Sequence, residues 1–165
     1  MEAAAAFLAV RSRSVEETRR RLRHLGYPAP LCDQVVERLE EIGYLDDHAF
    51  AKAWVESRDR ARPRGEVALR RELQLKGVPT ETIATVLTER GQASAISDDP
   101  HSPRGNADRV AARRLLERRA SSLSREIDPR RRQQRAYALL ARNGFAPDIC
   151  LEVARSVADR EATEG

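Results

Sequence analysis

The stretch "LRRELQLKGVPTETIATVL", residues 69–87, decides the fold, because its pattern around one glycine occurs twice more in the chain. The matching segments are "RRRLRHLGYPAPLCDQVVERL" (19–39) and "YALLARNGFAPDICLEVARSV" (137–157). The shared positions are Leu22, Leu73 and Leu140, four before the glycines Gly26, Gly77 and Gly144; Cys32, Ile83 and Cys150, six after them; and Val35, Val86 and Val153, nine after them. Self-similarity of this kind predicts a repeat protein.

Each segment predicts two helices joined by a tight turn. The glycine fits the left-handed residue that closes a helix, because it has no Cβ to clash there. A proline two or three residues later cannot continue that helix and suits the opening of the next one. The apolar positions then recur with helical periodicity. The equivalent positions of Cys32 and Cys150 favour small buried core residues over redox groups.

The spacing of the glycines predicts the organisation of the chain. The first two are 51 residues apart and the next two 67 apart, a surplus of 16 that equals the length of "GQASAISDDPHSPRGN", Gly91–Asn106. This run is rich in Gly, Ser, Pro and Asp, which indicates a flexible insertion. A period near 50 leaves room for a third helix after each pair. We therefore predict an all-α fold of tandem three-helix repeats over residues 1–61, 62–120 and 121–165. The first carries an N-terminal extension, the second carries the insertion at about 91–106, and the last helix of the third is short or absent.

The corner "EIGYLDDHAFAKAWVESR", residues 41–58, raises the question of a metal or acid/base site. Gly43 can end one helix, and Asp46 is a good N-cap for the next, because its carboxylate accepts the free N–H groups of the first turn. Asp47 then meets the positive end of that helix. Leu45 and Phe50 occupy the two positions of a hydrophobic staple.

This capping interpretation accounts for nearly every residue of the corner. Phe50 and Trp54 lie four residues apart on one apolar face, and the sequence around His48 shows no spacing typical of a metal or acid/base site. We therefore favour a structural corner over a catalytic or metal site. The residues to which we assign structural roles are Gly26, Gly43, Asp46, Phe50, Trp54, Gly77 and Gly144.

Composition excludes several classes of function. Aromatic residues make up only 4% of the chain, so the core must be aliphatic. The sequence has no glycine-rich phosphate loop and no nucleophile elbow, and its three histidines are scattered. We expect no enzyme, no metal and no cofactor.

The opening "MEAAAAFLAV" lacks a basic region before its apolar run, and no segment is long and apolar enough to span a bilayer. We expect a cytoplasmic monomer with no membrane association.

Four stretches together resemble the RecX family, the bacterial regulators of the RecA recombinase. They are "RSRSVEETRRRLRHLGY" (11–27), "RLEEIGYLDDHAFAKAWVESR" (38–58), "RGEVALRRELQLKGV" (64–78) and "LLARNGFAPDI" (139–149). The corner followed by the second repeat is a specific combination, and with the intervening helices the resemblance covers nearly the whole chain. Two departures are the inserted run, which is longer than typical, and "ARNGF" where the family usually has "RRGF".

The resemblance implies an elongated, curved array of three-helix units that lies along RecA filaments on single-stranded DNA. It implies a non-catalytic regulator that restrains ATP hydrolysis, strand exchange and co-protease activity, in homologous recombination, DNA repair and the SOS response. The implied partners are RecA and single-stranded DNA, with double-stranded DNA as a further candidate. The alternative is a helical-repeat nucleic-acid-binding protein without a recombinase partner.

The basic residues indicate where a polyanionic partner could bind. Of the 30 basic residues 28 are arginines, and the chain carries a net charge of +4. Residues 104–132 contain ten arginines against four acids, and residues 56–76 contain seven basic residues against four acids. Such clusters attract acidic protein surfaces and phosphates. The candidate partner-binding residues are Arg58, Arg62, Arg64, Arg70, Arg71, Lys76, Arg109, Arg113, Arg114, Arg118, Arg130 and Arg131. The alternative to partner binding, for any single arginine, is a position on a solvated helix face with i,i+4 pairs such as Glu66 with Arg70.

The aromatic residues weigh against the alternative function. Single-strand binders generally stack bases on aromatic side chains. The sequence places most of its Phe and Tyr residues at core positions of the repeats, so we expect no stacking platform.

Overall fold

The computed structural model describes residues 11–98 and 106–162, together with Glu2, Ala4 and Leu8, and these residues form helices and turns but no strand. The predicted all-α class is confirmed. The helices are α1 (Val15–His24), α2 (Ala29–Glu41), α3 (Asp47–Ala61), α4 (Glu66–Leu75), α5 (Thr80–Asp98), α6 (Asn106–Glu117), α7 (Ala120–Leu123), α8 (Pro129–Arg142) and α9 (Pro147–Ala162). The short α7 has no counterpart in the predicted repeat.

Glycines at positive φ close four of these helices. The φ angles are 89° at Gly26, 73° at Gly43, 77° at Gly77 and 80° at Gly144. After Gly77 the N–H of Val78 donates to Leu73 O, and after Gly144 the N–H of Phe145 donates to Leu140 O. These hydrogen bonds satisfy carbonyls that the end of a helix would otherwise leave without a partner.

The chain divides into two compact bodies. The N-terminal body comprises Met1–Val55 and Arg71–Val86. One of its core clusters contains Leu22, Cys32, Val36 and Leu39, each at most 3% exposed. Val36, rather than the predicted Val35, is the fully buried valine of α2, because Cys32, Val36 and Leu39 form one helical stripe and Val35 lies beside it.

The C-terminal body comprises Glu56–Arg70 and Leu87–Gly165. Its core is aliphatic, as the composition predicts, with Phe145 as its one buried aromatic ring among the described residues. The buried members are Ala111, Ala112, Leu115, Leu116, Leu123, Ala136, Leu140, Phe145, Ile149, Cys150, Val153 and Ala154. Burial raises the pKa of the Cys150 thiol, which suits its role as a small core residue.

In the N-terminal body the start of α1 packs on the glycine turn after α4, a contact we call the first glycine joint. Ser14 Oγ donates to Lys76 O, and a Cβ on Gly77 would collide with the Glu16 side chain. Asp47 Oδ1, on α3, accepts a hydrogen bond of 2.9 Å from Val15 N. Asp47 thus caps a helix that begins 32 residues earlier.

The second glycine joint, in the C-terminal body, repeats this arrangement with other residues. Gly65 N donates to Asn143 O at 3.0 Å, and a Cβ on Gly144 would collide with Ala68. Asp108 Oδ2, on α6, accepts from Glu66 N at 2.9 Å. Since Glu66 precedes Gly77 by the same 11 residues that separate Val15 from Gly26, the two caps are equivalent in the repeat.

The helix α5 extends into the expected insertion. It continues past Gly91 to Asp98, and residues 99–105 lie outside the described residues. One glycine inside a helix costs only about 1 kcal/mol relative to alanine, and the alanines around it favour the helix. The flexible segment predicted over 91–106 is therefore helical over its first half.

Candidate functional site

The corner at residues 41–58 has the geometry of a helix cap. Asp46 Oδ1 accepts hydrogen bonds from His48 N at 2.8 Å and Ala49 N at 3.0 Å, and Leu45 and Phe50 are both buried. In the described part of the chain, no group of three or more His, Cys, Asp or Glu side chains is placed to hold a metal ion. The chemistry of this corner is therefore that of helix capping.

Lys76, a candidate binding residue, is held inside the N-terminal body. Its Nζ lies 4.2 Å from the centroid of the Trp54 ring and 3.0 Å from Glu17 Oε1. Trp54 in turn stacks on Phe50, with ring centroids 6.1 Å apart. Only 16% of the Lys76 side chain is exposed. A lysine held by a cation–π contact and an ion pair is a poor ligand for a partner, so we leave it out of the proposed surface.

The carboxylate partner of Lys76 titrates below its usual range. Burial raises the pKa of Glu17, but hydrogen bonds from Lys76 and from the Ser14 backbone, with the Lys76 charge, outweigh burial and lower that pKa. Glu17 also completes a capping box, since Ser14 Oγ accepts from Glu17 N at 3.0 Å and Glu17 Oε2 accepts from Ser14 N at 3.2 Å. The Ser14–Glu17 spacing is a recognisable sequence signal for this box.

A buried ion cluster in the C-terminal body centres on Arg90, a residue outside the sequence-based candidates. Its guanidinium donates to both Asp59 carboxylate oxygens, at 2.9 and 2.8 Å, and to Asp108 Oδ1 at 2.6 Å. Burial lowers the pKa of Arg90, but Asp59 and Asp108 together outweigh it and raise that pKa. Arg90 therefore stays charged, and this cluster is a structural element rather than a surface for ligands.

Three other candidate arginines also make contacts within their own body. Arg64 Nη1 donates to Asn143 Oδ1 at 2.6 Å, and Arg109 Nε donates to Glu152 Oε2 at 2.8 Å. Arg118 Nη1 donates to Ala61 O at 2.6 Å, and its second nitrogen donates to the neighbouring carbonyl of Arg60. Arg118 thus satisfies carbonyls at the C-terminal end of α3.

The remaining candidates differ in how accessible they are. Arg58 is half-buried, and Arg70 pairs with Glu66 at 2.8 Å on α4, the i,i+4 contact expected of a solvated face. Arg131 lies 3.7 Å from Asp128, with 74% of its side chain exposed. The exposed candidates that pair with none of the described side chains are Arg62, Arg71, Arg113, Arg114 and Arg130. Within the C-terminal body, Arg62, Arg113, Arg114 and Arg130 are the candidates best placed to meet a partner.

The C-terminal body also contains an arginine groove that the candidate set did not include. It has a volume of about 540 Å³ and is lined by Arg119, Ser122, Leu123, Arg135, Ala138, Leu139 and Arg142. Arg135 and Arg142 are seven residues apart on α8, so they lie on the same helix face. That spacing is visible in the sequence, but the approach of Arg119 to α8 depends on the tertiary fold.

Two tyrosines correct the expectation that aromatic side chains occupy core positions. Tyr27 is 42% exposed and Tyr44 is 68% exposed, each directly after a glycine at positive φ. Phe50 and Phe145 are buried as expected. The position after the glycine is therefore a core position in the second and third segments only. His101, one of the three scattered histidines, and Arg104, the first residue of the basic stretch 104–132, lie outside the described residues.

Helices among the described residues are too short or too polar to cross a membrane.

Three family models match consecutive parts of the chain. The model for the first three-helix domain of RecX matches residues 1–39, that for the second matches 46–87, and that for the third matches 108–154.

Curated relatives and solved structures agree with the family models. The chain is 35% identical over 156 residues to Regulatory protein RecX of Mycobacterium tuberculosis (strain H37Rv), covering 93% of this chain and 84% of the relative. It is 33% identical over 146 residues to Regulatory protein RecX of Mycobacterium ulcerans, covering 88% and 77%.

The crystal structure of RecX from Lactobacillus salivarius superposes with a TM-score of 0.75 at 18% identity, over 94% of this chain and 92% of that one. A second RecX crystal structure gives 0.70 at 19% identity, over 92% and 70%. These two structures support the fold.

Proposed function

The chain belongs to the RecX family, and from that membership we propose that it is a non-catalytic regulator that binds RecA filaments on single-stranded DNA. In this role it lowers RecA ATPase turnover, strand exchange and co-protease activity, acting as a monomer in the cytoplasm. The observation that carries the proposal is the 35% identity, over 93% of the chain, to a protein named Regulatory protein RecX.

The exposed arginines of the C-terminal body support a polyanionic partner. Arg113 and Arg114 are adjacent and exposed on α6, and Arg130 is exposed in the first turn of α8. None of the three pairs with another described side chain. Guanidinium groups left free in this way suit both carboxylates and phosphates, which are the two kinds of anion on a nucleoprotein filament.

The direct test is a RecA ATPase assay on preformed filaments. Adding the protein should depress ATP turnover, and co-sedimentation should place it in the filament pellet. The Arg113→Gln/Arg114→Gln variant should inhibit less well, because two charges that face the partner are gone. A matched control is Arg21→Gln/Arg23→Gln, which removes two exposed arginines of α1 in the N-terminal body. Unchanged turnover over a wide excess of wild-type protein would refute the proposal.

A second candidate function is nucleic-acid binding without a recombinase partner. The exposure of Tyr27 and Tyr44 favours it, since exposed aromatic rings can stack on unpaired bases. It predicts that Tyr27→Ala and Tyr44→Ala weaken binding to oligo(dT) in the absence of RecA. It also predicts equal affinity for bare DNA and for filaments, whereas the first proposal predicts tighter binding to filaments.

A further inference from the structure

The charged side chains that are described in the lining of the arginine groove are all positive. Among the described residues, the charged ones that line it are Arg119, Arg135 and Arg142, so three positive charges face one concave surface and no described carboxylate lines it. Arg119 and Arg142 are exposed and pair with none of the described side chains. Such a surface repels cations and attracts anions.

The spacing of the arginines fits a linear polyanion. Arg135 and Arg142 lie two turns apart on α8, which is about 10 Å at the helical rise of 1.5 Å per residue. One strand of B-form DNA carries a phosphate about every 3.4 Å along the helix axis. The two side chains can therefore reach different phosphates of one strand rather than a single anion.

The floor of the groove argues against an apolar protein anchor. Leu123 is only 6% exposed, and Ala138 and Leu139 are half-buried. A protein partner needs accessible apolar surface for its central side chains, and this floor offers little. None of the described residues in the lining carries an aromatic ring, so the lining as described offers bases no platform on which to stack. What remains is recognition of phosphates by guanidinium forks, without sequence preference.

Glu126 lies at the edge of this arrangement. Its Oε2 is 3.2 Å from Arg135 Nη2, and the Arg135 side chain is 60% exposed. A phosphate that binds Arg135 must compete with this carboxylate. Glu126 therefore weakens anion binding in the groove, and its removal should strengthen it.

We propose that Arg119, Arg135 and Arg142 form a binding site for the phosphodiester backbone of nucleic acid, with Glu126 as an internal competitor for Arg135. The inference rests on the proposed function only for the choice of nucleic acid as the polyanion. It assigns the strand contact to the C-terminal body, on residues outside the sequence-based candidate set.

The test is fluorescence anisotropy of the full-length protein with a fluorescein-labelled oligo(dT) strand, without RecA, between about 50 and 200 mM salt. Arg119→Gln/Arg135→Gln/Arg142→Gln should weaken binding and flatten the plot of log affinity against log salt concentration. The slope should change by about 0.7 for each phosphate that is no longer neutralised, or about 2 in total. Arg21→Gln/Arg23→Gln/Arg38→Gln removes three exposed arginines of the N-terminal body and should leave the slope unchanged.

The variant Glu126→Gln tests the proposal in the opposite direction, because it should strengthen DNA binding. It should tighten oligo(dT) binding by roughly two- to fivefold, the scale of one exposed ion pair. A merely structural role for the arginines would give no such gain. Circular dichroism should show the same helix content in all variants, because the substituted side chains are exposed or lie at the surface.

Competition arms identify the anion. Unlabelled DNA should displace the probe far better than tripolyphosphate or a poly-glutamate peptide, and stronger displacement by poly-glutamate would overturn the proposal in favour of an acidic protein. Unchanged oligo(dT) binding by the triple variant would also overturn it. If oligo(dT) binding by the triple variant is unchanged and the variant still inhibits RecA ATPase, only the groove assignment fails and the proposed function stands. If the wild-type protein does not inhibit RecA but its DNA binding depends on the groove, only the proposed function fails.

Discussion

The two glycine joints make the same contact with different chemistry. In the first, a serine hydroxyl reaches the carbonyl of the residue before the glycine, and in the second a backbone N–H does so. In both, an aspartate from a distant helix caps the helix start: Asp47 caps Val15, and Asp108 caps Glu66. The repeat therefore preserves backbone geometry, while the donor at each joint is interchangeable.

The joints differ most in the charges around them. The first is flanked by the ion pair of Lys76 and Glu17, whose side chains are 16% and 18% exposed. The second shares Asp108 with Arg90, and both of those side chains are 9% exposed. An ion pair buried to that degree is costly to break, since removal of one partner leaves the other unpaired in a low-dielectric interior. We therefore expect the second joint to be the more sensitive to substitution.

The largest expected effect is that of Arg90→Met. The substitution leaves the buried Asp108 and the half-buried Asp59 without their common partner, and the free energy of unfolding should fall by about 3–5 kcal/mol. Urea denaturation followed by circular dichroism measures it. Arg38→Met is the matched control, because the exposed Arg38–Glu41 pair should contribute less than about 1 kcal/mol. Equal losses from both variants would contradict the structural role assigned to the buried ion cluster around Arg90.

Substitution of the joint glycines by alanine should give a graded series. Each alanine at positive φ costs about 1–2 kcal/mol, and overpacking adds about 1–3 kcal/mol where the new Cβ collides. Gly144→Ala meets the backbone and Cβ of Ala68, Gly77→Ala meets the side chain of Glu16, and Gly26→Ala meets nothing within 4 Å. The loss of stability should decrease in that order. If Gly26→Ala destabilises the protein as much as Gly144→Ala does, collisions at the glycine joints do not cause the loss of stability.

Asp47 offers a test of the long-range cap. Asp47→Ala should destabilise the fold by about 1 kcal/mol, since it removes the acceptor for Val15 N. Asp47→Asn keeps an acceptor oxygen and should cost less. Burial raises the pKa of Asp47 despite the hydrogen bond from Val15. The wild-type carboxyl therefore stabilises most at low pH and loses this advantage as pH rises through its folded-state pKa. Thermal melts of the wild-type and Asn variants from acidic to neutral pH measure this difference.

The smallest effect on stability is expected from Glu17→Gln, and its pH dependence is opposite to that of Asp47. Because the folded-state pKa of Glu17 is lowered, its contribution is present at neutral pH and is lost as pH falls through that pKa. The stability difference between wild type and Glu17→Gln should be under about 1 kcal/mol at pH 7 and should vanish in acid. A difference that does not change with pH would exclude the charge of Glu17 as its origin.

The local features of the fold could be predicted from the sequence. The glycines at 26, 77 and 144 lie at positive φ, and Leu22, Leu73 and Leu140 before them are buried. The N-cap role of Asp46 follows from its place before an apolar face. Each of these depends on residues within about two helical turns, where periodicity and backbone sterics act directly. The exposure of Tyr27 could not be predicted, because equivalent positions in the other segments are buried.

The sequence by itself determined the paired helices of the repeats, their glycine turns, the family and the excess of arginine. Only the tertiary structure decided which of the basic residues are free. It packed Lys76 against Trp54, paired Arg118 with the carbonyls at the end of α3, and brought Arg119 beside α8. The physical reason is distance along the chain. A hydrogen bond between residues far apart in the sequence depends on how helices pack, and no local pattern specifies that packing.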